Sequence, residues 1–249
     1  MSNLNEKEVK EKMSEKMAFE KSLEMSQNRD NIFQKIEIFV NVGNHCLLSI
    51  VVFYLVWYVF QDNFSELTCI HSLLCTLGFF FMTEGILLMN KQNAPTILNK
   101  GRRSMTKYHW IFQALGFILM VIGSVIEWLY REWEGKIHFH AKHGIIGLVA
   151  LIFMAVTAIS GCSALFSQEL KSILNPLFNK SAHHIFAIIS FITLVVGICF
   201  TLVQQNFTKR HDPGNLRIVM CWMLGFIAIL TLLGSFKTLN THLRSALRK

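Results

Sequence analysis

Four histidines lie near the ends of long apolar segments, where ionisable side chains are rare. They are His71, His109, His143 and His184, the last with a neighbour at His183. An ionisable side chain within a membrane is costly, so each is a candidate functional residue. A neutral imidazole binds transition metals through its unprotonated nitrogen. The type and placement of these residues therefore predict metal ligation.

The elements that carry the histidines are apolar and long. The chain is 52% hydrophobic and 16% charged, whereas soluble domains have about 25% charged residues. A membrane-spanning helix needs roughly 20 apolar residues. Six segments meet this length: 39–60, 67–90, 108–130, 143–166, 182–205 and 216–236. The sequence therefore predicts an all-α membrane protein with six transmembrane helices.

The remaining sequence divides into tails. Residues 1–35 alternate Lys and Glu without an apolar block, so we expect a charged cytosolic tail, solvated or transiently helical, rather than a signal peptide. The transmembrane domain is expected at 38–240, followed by a basic tail at 241–249. The six cysteines lie in or beside predicted helices, where we expect them to pack as small apolar side chains.

Basic residues indicate the orientation, because cytosolic loops of membrane proteins are enriched in Lys and Arg. The loops at 91–107 and 167–181 and the C-terminal tail are expected on the cytosolic side with both termini. Their basic residues are Lys91, Lys100, Arg102, Arg103, Lys107, Lys171, Lys180, Lys237, Arg244, Arg248 and Lys249. These flanks account for most of the formal charge of +8, so no nucleic-acid partner is expected.

Folding helices 2 to 5 as an up-down four-helix bundle pairs the histidines by depth. His71 and His143 then face each other near the non-cytosolic side, and His109 and His184 face each other near the cytosolic side. Two facing imidazoles can hold one haem iron from opposite sides. The pattern predicts two b-type haems about 20 Å apart along the membrane normal. His45 has no partner at its depth and is assigned no role.

The four-histidine pattern resembles the cytochrome b561 family over about residues 38–240, most nearly its cytochrome b561 domain-containing (D2-type) transmembrane reductases. The stretches that carry the resemblance are HSLLCTLGFFFMTEGILL (71–88), KGRRSMTKYHWIFQ (100–113), KHGIIGL (142–148) and PLFNKSAHH (176–184). The family usually has proline after its first ligand, where this chain has Ser72. Counting from Pro176 favours His184 over His183, and both remain open.

The resemblance implies a transmembrane one-electron reductase. Cytosolic ascorbate would donate an electron, which two haem b groups would pass to monodehydroascorbate or a ferric chelate. Lys100, Arg102 and Arg103 match the basic loop that would bind ascorbate. The relatives indicate endoplasmic reticulum or cytoplasmic vesicle membranes, and a homodimer is compatible with the sequence.

Other polar residues near the helix ends have two interpretations. His138 and His140, close to His143, are either surface residues or a loose docking point for ferric substrate. Glu84 and Glu127 either accept hydrogen bonds near the haem sites or have no role. Two further function classes could use such histidines: a transporter or proton pathway that titrates them, and a metal-dependent membrane hydrolase. The loop positions of the prolines and the division of the histidines between two sides favour the reductase.

Overall fold

The structure is a computed structural model that describes residues 2–61, 66–89, 102–203 and 216–247. Within these ranges the secondary structure is helical. Six long helices follow one another: α1 (Ser2–Gln61), α2 (Glu66–Met89), α3 (Arg102–Trp133), α4 (Lys142–Leu165), α5 (Pro176–Val203) and α6 (Leu216–Leu247). A short 3₁₀ turn at Glu169–Ser172 lies between α4 and α5. Each long helix contains a segment apolar enough to cross a membrane, which confirms the predicted all-α class and six spans.

The helix ends extend beyond several of the predicted apolar segments. Helix α1 is continuous from Ser2 to Gln61, so the charged tail and the first span form one helix. Lys, Glu and Met are good helix formers, and they need no apolar environment to continue a helix into water. Helix α3 likewise begins at Arg102, before the predicted start at 108. Hydropathy locates the bilayer crossing, whereas backbone propensity sets the helix length.

Sequential helices pack antiparallel, and two hairpins form the centre of the molecule. The first hairpin is α2 with α3, and the second is α4 with α5; these two pairs have the most extensive contacts. Helix α6 packs against α5, and α1 joins α2 and α6. At the α1–α6 contact, the buried Asn44 side chain donates a hydrogen bond of 3.1 Å to Thr231. The hairpins therefore lie side by side, with α1 and α6 against one side.

Glycines permit the close approach of α2 and α3. A Cβ atom added at Gly78 would lie 2.8 Å from the Gly116 carbonyl oxygen, and one at Gly116 would lie 2.8 Å from the Gly78 carbonyl oxygen. Gly85 and Gly123 lie seven residues further along their helices and also face the partner helix. Small residues let membrane helices come into backbone contact. This contact brings backbone carbonyls of one helix within reach of side chains on the other.

The two hairpins meet through an aromatic pair at mid-height. The rings of Phe79 on α2 and Phe191 on α5 stack with centroids 6.2 Å apart and planes at 18°. Both side chains are buried, as are Met82, Met120 and Met154 in the same core. In contrast, large apolar side chains such as Ile152 and Ile159 are exposed on α4. The outward apolar surface fits a lipid environment.

Candidate functional site

We call the end of the bundle where α2, α4 and α6 begin the His71 end, and the opposite end the His109 end. At the His71 end, the imidazoles of His71 and His143 have centroids 6.3 Å apart and planes at 71°. Two imidazoles on opposite sides of one metal, with bonds of about 2.0 Å, have centres about 6 Å apart. The structure therefore brings these two predicted residues together at a spacing that one metal would bridge.

Both rings are oriented by a neighbouring helix. His71 Nδ1 lies 2.9 Å from the Gly123 carbonyl oxygen on α3, and His143 Nδ1 lies 3.0 Å from the Gly197 carbonyl oxygen on α5. A carbonyl can only accept, so Nδ1 carries the hydrogen and donates it. Nε2 is then the unprotonated nitrogen, which is the form that binds a metal.

His109 is oriented in the same way at the opposite end. Its Nδ1 donates to the Gly85 carbonyl oxygen on α2 at 2.8 Å. Gln113, one turn further along α3, donates to the Met82 carbonyl at 2.8 Å and fixes the same helix contact. His71 and Gly85 are fourteen residues apart on α2, which separates the two histidine levels by about 21 Å at 1.5 Å per residue.

His183 and His184 lie in different surroundings. The ring of His183 packs against α4: a Cβ added at Gly161 would lie 3.1 Å from its Cε1 atom. Its Nδ1 is 3.3 Å from the Ser160 hydroxyl, and the Thr157 backbone carbonyl is a further hydrogen-bond partner. His184 instead lies beside His242 on α6, with ring centroids 5.5 Å apart. Both interact electrostatically with His109.

The four oriented rings follow one rule. Each helix of a hairpin carries a histidine and, fourteen residues later, a residue whose carbonyl faces the histidine of the partner helix. The residue pairs are His71 with Gly85, His109 with Gly123, His143 with Thr157, and His183 with Gly197. This reciprocal contact occurs in both hairpins. His183 obeys the rule, and His184 lies one position outside it.

Three of the rings have a second polar neighbour at Nδ1. Thr201 Oγ1 lies 2.7 Å from His143 Nδ1, and Cys75 Sγ lies 3.7 Å from His71 Nδ1. The Ser160 contact to His183 is the third. The Thr201 and Ser160 contacts could not be predicted from spacing alone, because they depend on the rotation of the helices about their axes, whereas Cys75 is one turn from His71 on the same helix.

His45, for which the sequence predicts no role, forms a hydrogen bond with Glu84. Its Nδ1 lies 2.9 and 2.8 Å from the two carboxylate oxygens, and both side chains are partly buried. Asn41 lies 3.5 Å from the other ring nitrogen. Glu84 immediately precedes Gly85, so one short segment of α2 contacts both α1 and His109. Glu84 therefore accepts a hydrogen bond from a neighbouring helix.

Polar residues at the His71 end form local pairs. Glu127 accepts from Arg131 at 2.8 Å and from Thr68 at 3.2 Å. In the connection after α3, His138 pairs with Glu132 at 2.9 Å and stacks on Trp128 with ring centroids 5.5 Å apart. His140 is exposed. Among the described residues, no group of three His, Cys, Asp or Glu side chains could hold a metal ion, so His138, His140 and His143 do not form one.

The side chains expected to bind the anionic substrate are not among those that the structure describes. Lys100 lies outside the described residues, as do the side chains of Arg102 and Arg103, whose backbone begins α3. All six cysteines are free thiols.

Comparison with known proteins identifies the family of the four-histidine bundle. The sequence profile of the family described as Eukaryotic cytochrome b561 matches residues 70–209, more than half of the chain. The mouse protein named transmembrane reductase CYB561D2 is 27% identical over 106 residues, 43% of this chain and 48% of that protein. The human protein of that name is 28% identical over 107 residues, with the same coverage. The matched region thus spans about half the length of these relatives. The chain belongs to the eukaryotic cytochrome b561 family.

Proposed function

We propose that this chain carries single electrons across a membrane through two haem b groups. His71 and His143 would hold one haem, and His109 and His183 the other. The observation that carries this proposal is the set of ring orientations: at His71, His109 and His143, a carbonyl on the neighbouring helix accepts from Nδ1 and leaves Nε2 for a metal. The family membership and the 6.3 Å spacing of His71 and His143 support it.

His183 replaces His184 in this proposal because of its contacts. Its ring is held against α4 by Ser160 and Thr157, as the other three rings are held by carbonyls. His184 is one residue further along α5 and therefore points about 100° away around the helix. Its ring lies beside His242 instead. Counting along the sequence does not separate two adjacent histidines, so the contacts with α4 are what supports His183.

Haem iron held by two imidazoles supplies a one-electron couple. The chain supplies the ligands, their orientation and an apolar medium. The backbone carbonyls of Gly123, Gly197 and Gly85 would hold the ligand rings in place. Between the two levels, the buried Phe79 and Phe191 rings stack in the core of the bundle.

We further propose ascorbate as the donor at the His109 end, and monodehydroascorbate or a ferric chelate as the acceptor at the His71 end. The ascorbate monoanion would be attracted by Lys100, Arg102 and Arg103, which precede His109 by nine residues or fewer in the sequence. The distribution of basic residues supports a cytosolic location for the His109 end. The proposed compartment is the endoplasmic reticulum or a cytoplasmic vesicle.

An absorbance spectrum of the purified protein tests this function. The oxidised protein should show a low-spin haem spectrum, with two haems per chain by pyridine haemochrome assay, and ascorbate should reduce it. His71→Ala and His109→Ala should each remove one haem. His138→Ala, which changes a histidine of the same end outside the proposed ligand set, should retain both. A protein without haem would refute the function, and haem that ascorbate cannot reduce would refute the donor.

The transporter alternative is less well supported. It would require interrupted helices or carboxylates in the middle of the membrane. In the described residues, α2 to α5 are each one uninterrupted helix, and Glu84 and Glu127 lie towards opposite ends of the bundle. Proton flux through liposomes containing the haem-free protein would favour this alternative.

A further inference from the structure

Thr201 on α5 interacts with His143 more closely than any carbonyl does. Its Oγ1 lies 2.7 Å from His143 Nδ1, compared with 3.0 Å for the Gly197 carbonyl. The hydroxyl also lies 3.2 Å from that carbonyl. The Thr201 hydroxyl can therefore donate to the carbonyl of Gly197 and accept from the imidazole Nδ1–H. The three groups form a closed hydrogen-bonded triangle.

His183 has a looser counterpart of this triangle, because the Ser160 hydroxyl donates to the Thr157 carbonyl at 2.9 Å. The Ser160 hydroxyl is further from His183, at 3.3 Å, and the neighbour of His71 is a thiol at 3.7 Å, a weaker acceptor. For His109, Gly85 is the one hydrogen-bond partner of Nδ1 among the described residues. The shortest side-chain contact to any of these Nδ1 atoms is thus the one at His143.

We propose that Thr201 sets the reduction potential of the haem at the His71 end. An acceptor at Nδ1–H increases electron donation from the imidazole to its metal and stabilises the oxidised iron. Thr201 would therefore lower the potential of this haem relative to a site with the carbonyl alone. It acts through His143 and is a positioning residue rather than a ligand. This inference rests on the proposed function.

Helix α5 offers a matched control. Thr193 also donates to the carbonyl four residues before it, Ile189, at 2.7 Å, but its side chain is exposed. Thr201→Val and Thr193→Val remove the same kind of intrahelical bond, and only the first removes a contact with His143. Thr201→Ser retains the hydroxyl.

The test is a spectroscopic redox titration of the purified full-length chain, combined with electron paramagnetic resonance of the oxidised protein. In Thr201→Val, one haem component should shift to a higher midpoint potential while the other is unchanged. Thr201→Ser and Thr193→Val should both titrate like the wild type. The shifted component should be the one missing from His143→Ala, and its low-spin resonance should move with it.

Three results would overturn the inference: an unchanged potential in Thr201→Val, a shift to lower potential, or an equal shift in Thr193→Val. Each leaves the wild-type haem spectrum intact, so the proposed function would survive. A wild-type protein without bis-imidazole haem would overturn both, which separates the two failures.

Discussion

The two hairpins make the same reciprocal contact with different packing. In the first hairpin, both carbonyls that face a histidine belong to glycines, Gly85 and Gly123. Gly78 and Gly116 lie between them where the two helices touch, and a Cβ added at either would meet backbone at 2.8 Å. In the second, one carbonyl belongs to Thr157, and a Cβ added at Gly197 would meet only the Ile146 side chain at 3.5 Å. The shared requirement is a carbonyl that faces the ring. Glycine is needed where the helices touch.

The largest expected effect is a loss of haem. It tests whether the second hairpin orients its histidines by the same fourteen-residue spacing as the first. His183→Ala should remove one of the two haems, whereas His184→Ala should retain both, because His184 contacts α6 rather than α4. Haem content per purified chain measures this. Loss of haem from His184→Ala with retention in His183→Ala would restore the assignment made by counting from Pro176.

The second largest expected effect is a loss of stability when the contact between the two hairpins is weakened. Phe79→Ala removes a fully buried ring from the stacked pair with Phe191, and such truncations cost about 3–5 kcal/mol. Phe226→Ala, on the exposed face of α6, should change stability little. Unfolding of the detergent-solubilised protein with increasing denaturant measures both. Equal stability of the two variants would show that the hairpins are held together elsewhere.

Glycine substitutions test how closely the two helices of each hairpin pack. Gly116→Ala forces a Cβ against the Gly78 carbonyl, and overpacking of this kind costs about 1–3 kcal/mol. Gly197→Ala places its Cβ in ordinary contact and gains helix propensity of up to about 1 kcal/mol. The melting temperature should therefore fall in the first variant and hold or rise in the second. A fall of similar size in both melting temperatures would indicate that the helices of the two hairpins pack equally closely.

The smallest expected effect is a loss of stability when the contact between α1 and the first hairpin is weakened. Glu84→Gln replaces the carboxylate that accepts from His45 with a neutral amide, which weakens the hydrogen bond between α1 and the first hairpin, and we expect a loss of about 1 kcal/mol. Glu37→Gln weakens the exposed pair with Lys237 and should cost less. Denaturant unfolding compares the two variants. A larger loss from Glu37→Gln would contradict the importance of the Glu84 contact.

Sequence periodicity and hydropathy predicted the six spans, and depth matching predicted that His71 would face His143. Both follow from one-dimensional quantities, namely helix rise and apolar length. The orientation of His183 and the partnership of His45 with Glu84 depend on helix rotation, which hydropathy does not specify. One sequence feature could have helped: His71, His109 and His183 each precede a glycine by fourteen residues. That spacing favours His183 over His184 as the proposed ligand.

The stacked Phe79 and Phe191 have an electrical consequence for the proposed transfer. They place two apolar rings between the two histidine levels, and we expect an electron to pass between the levels without a proton. Net charge would then move through the membrane interior, with work of about 2.3 kcal/mol for each 100 mV over the full thickness. The rate and direction of electron flow would therefore depend on the membrane voltage as well as on the donor and acceptor.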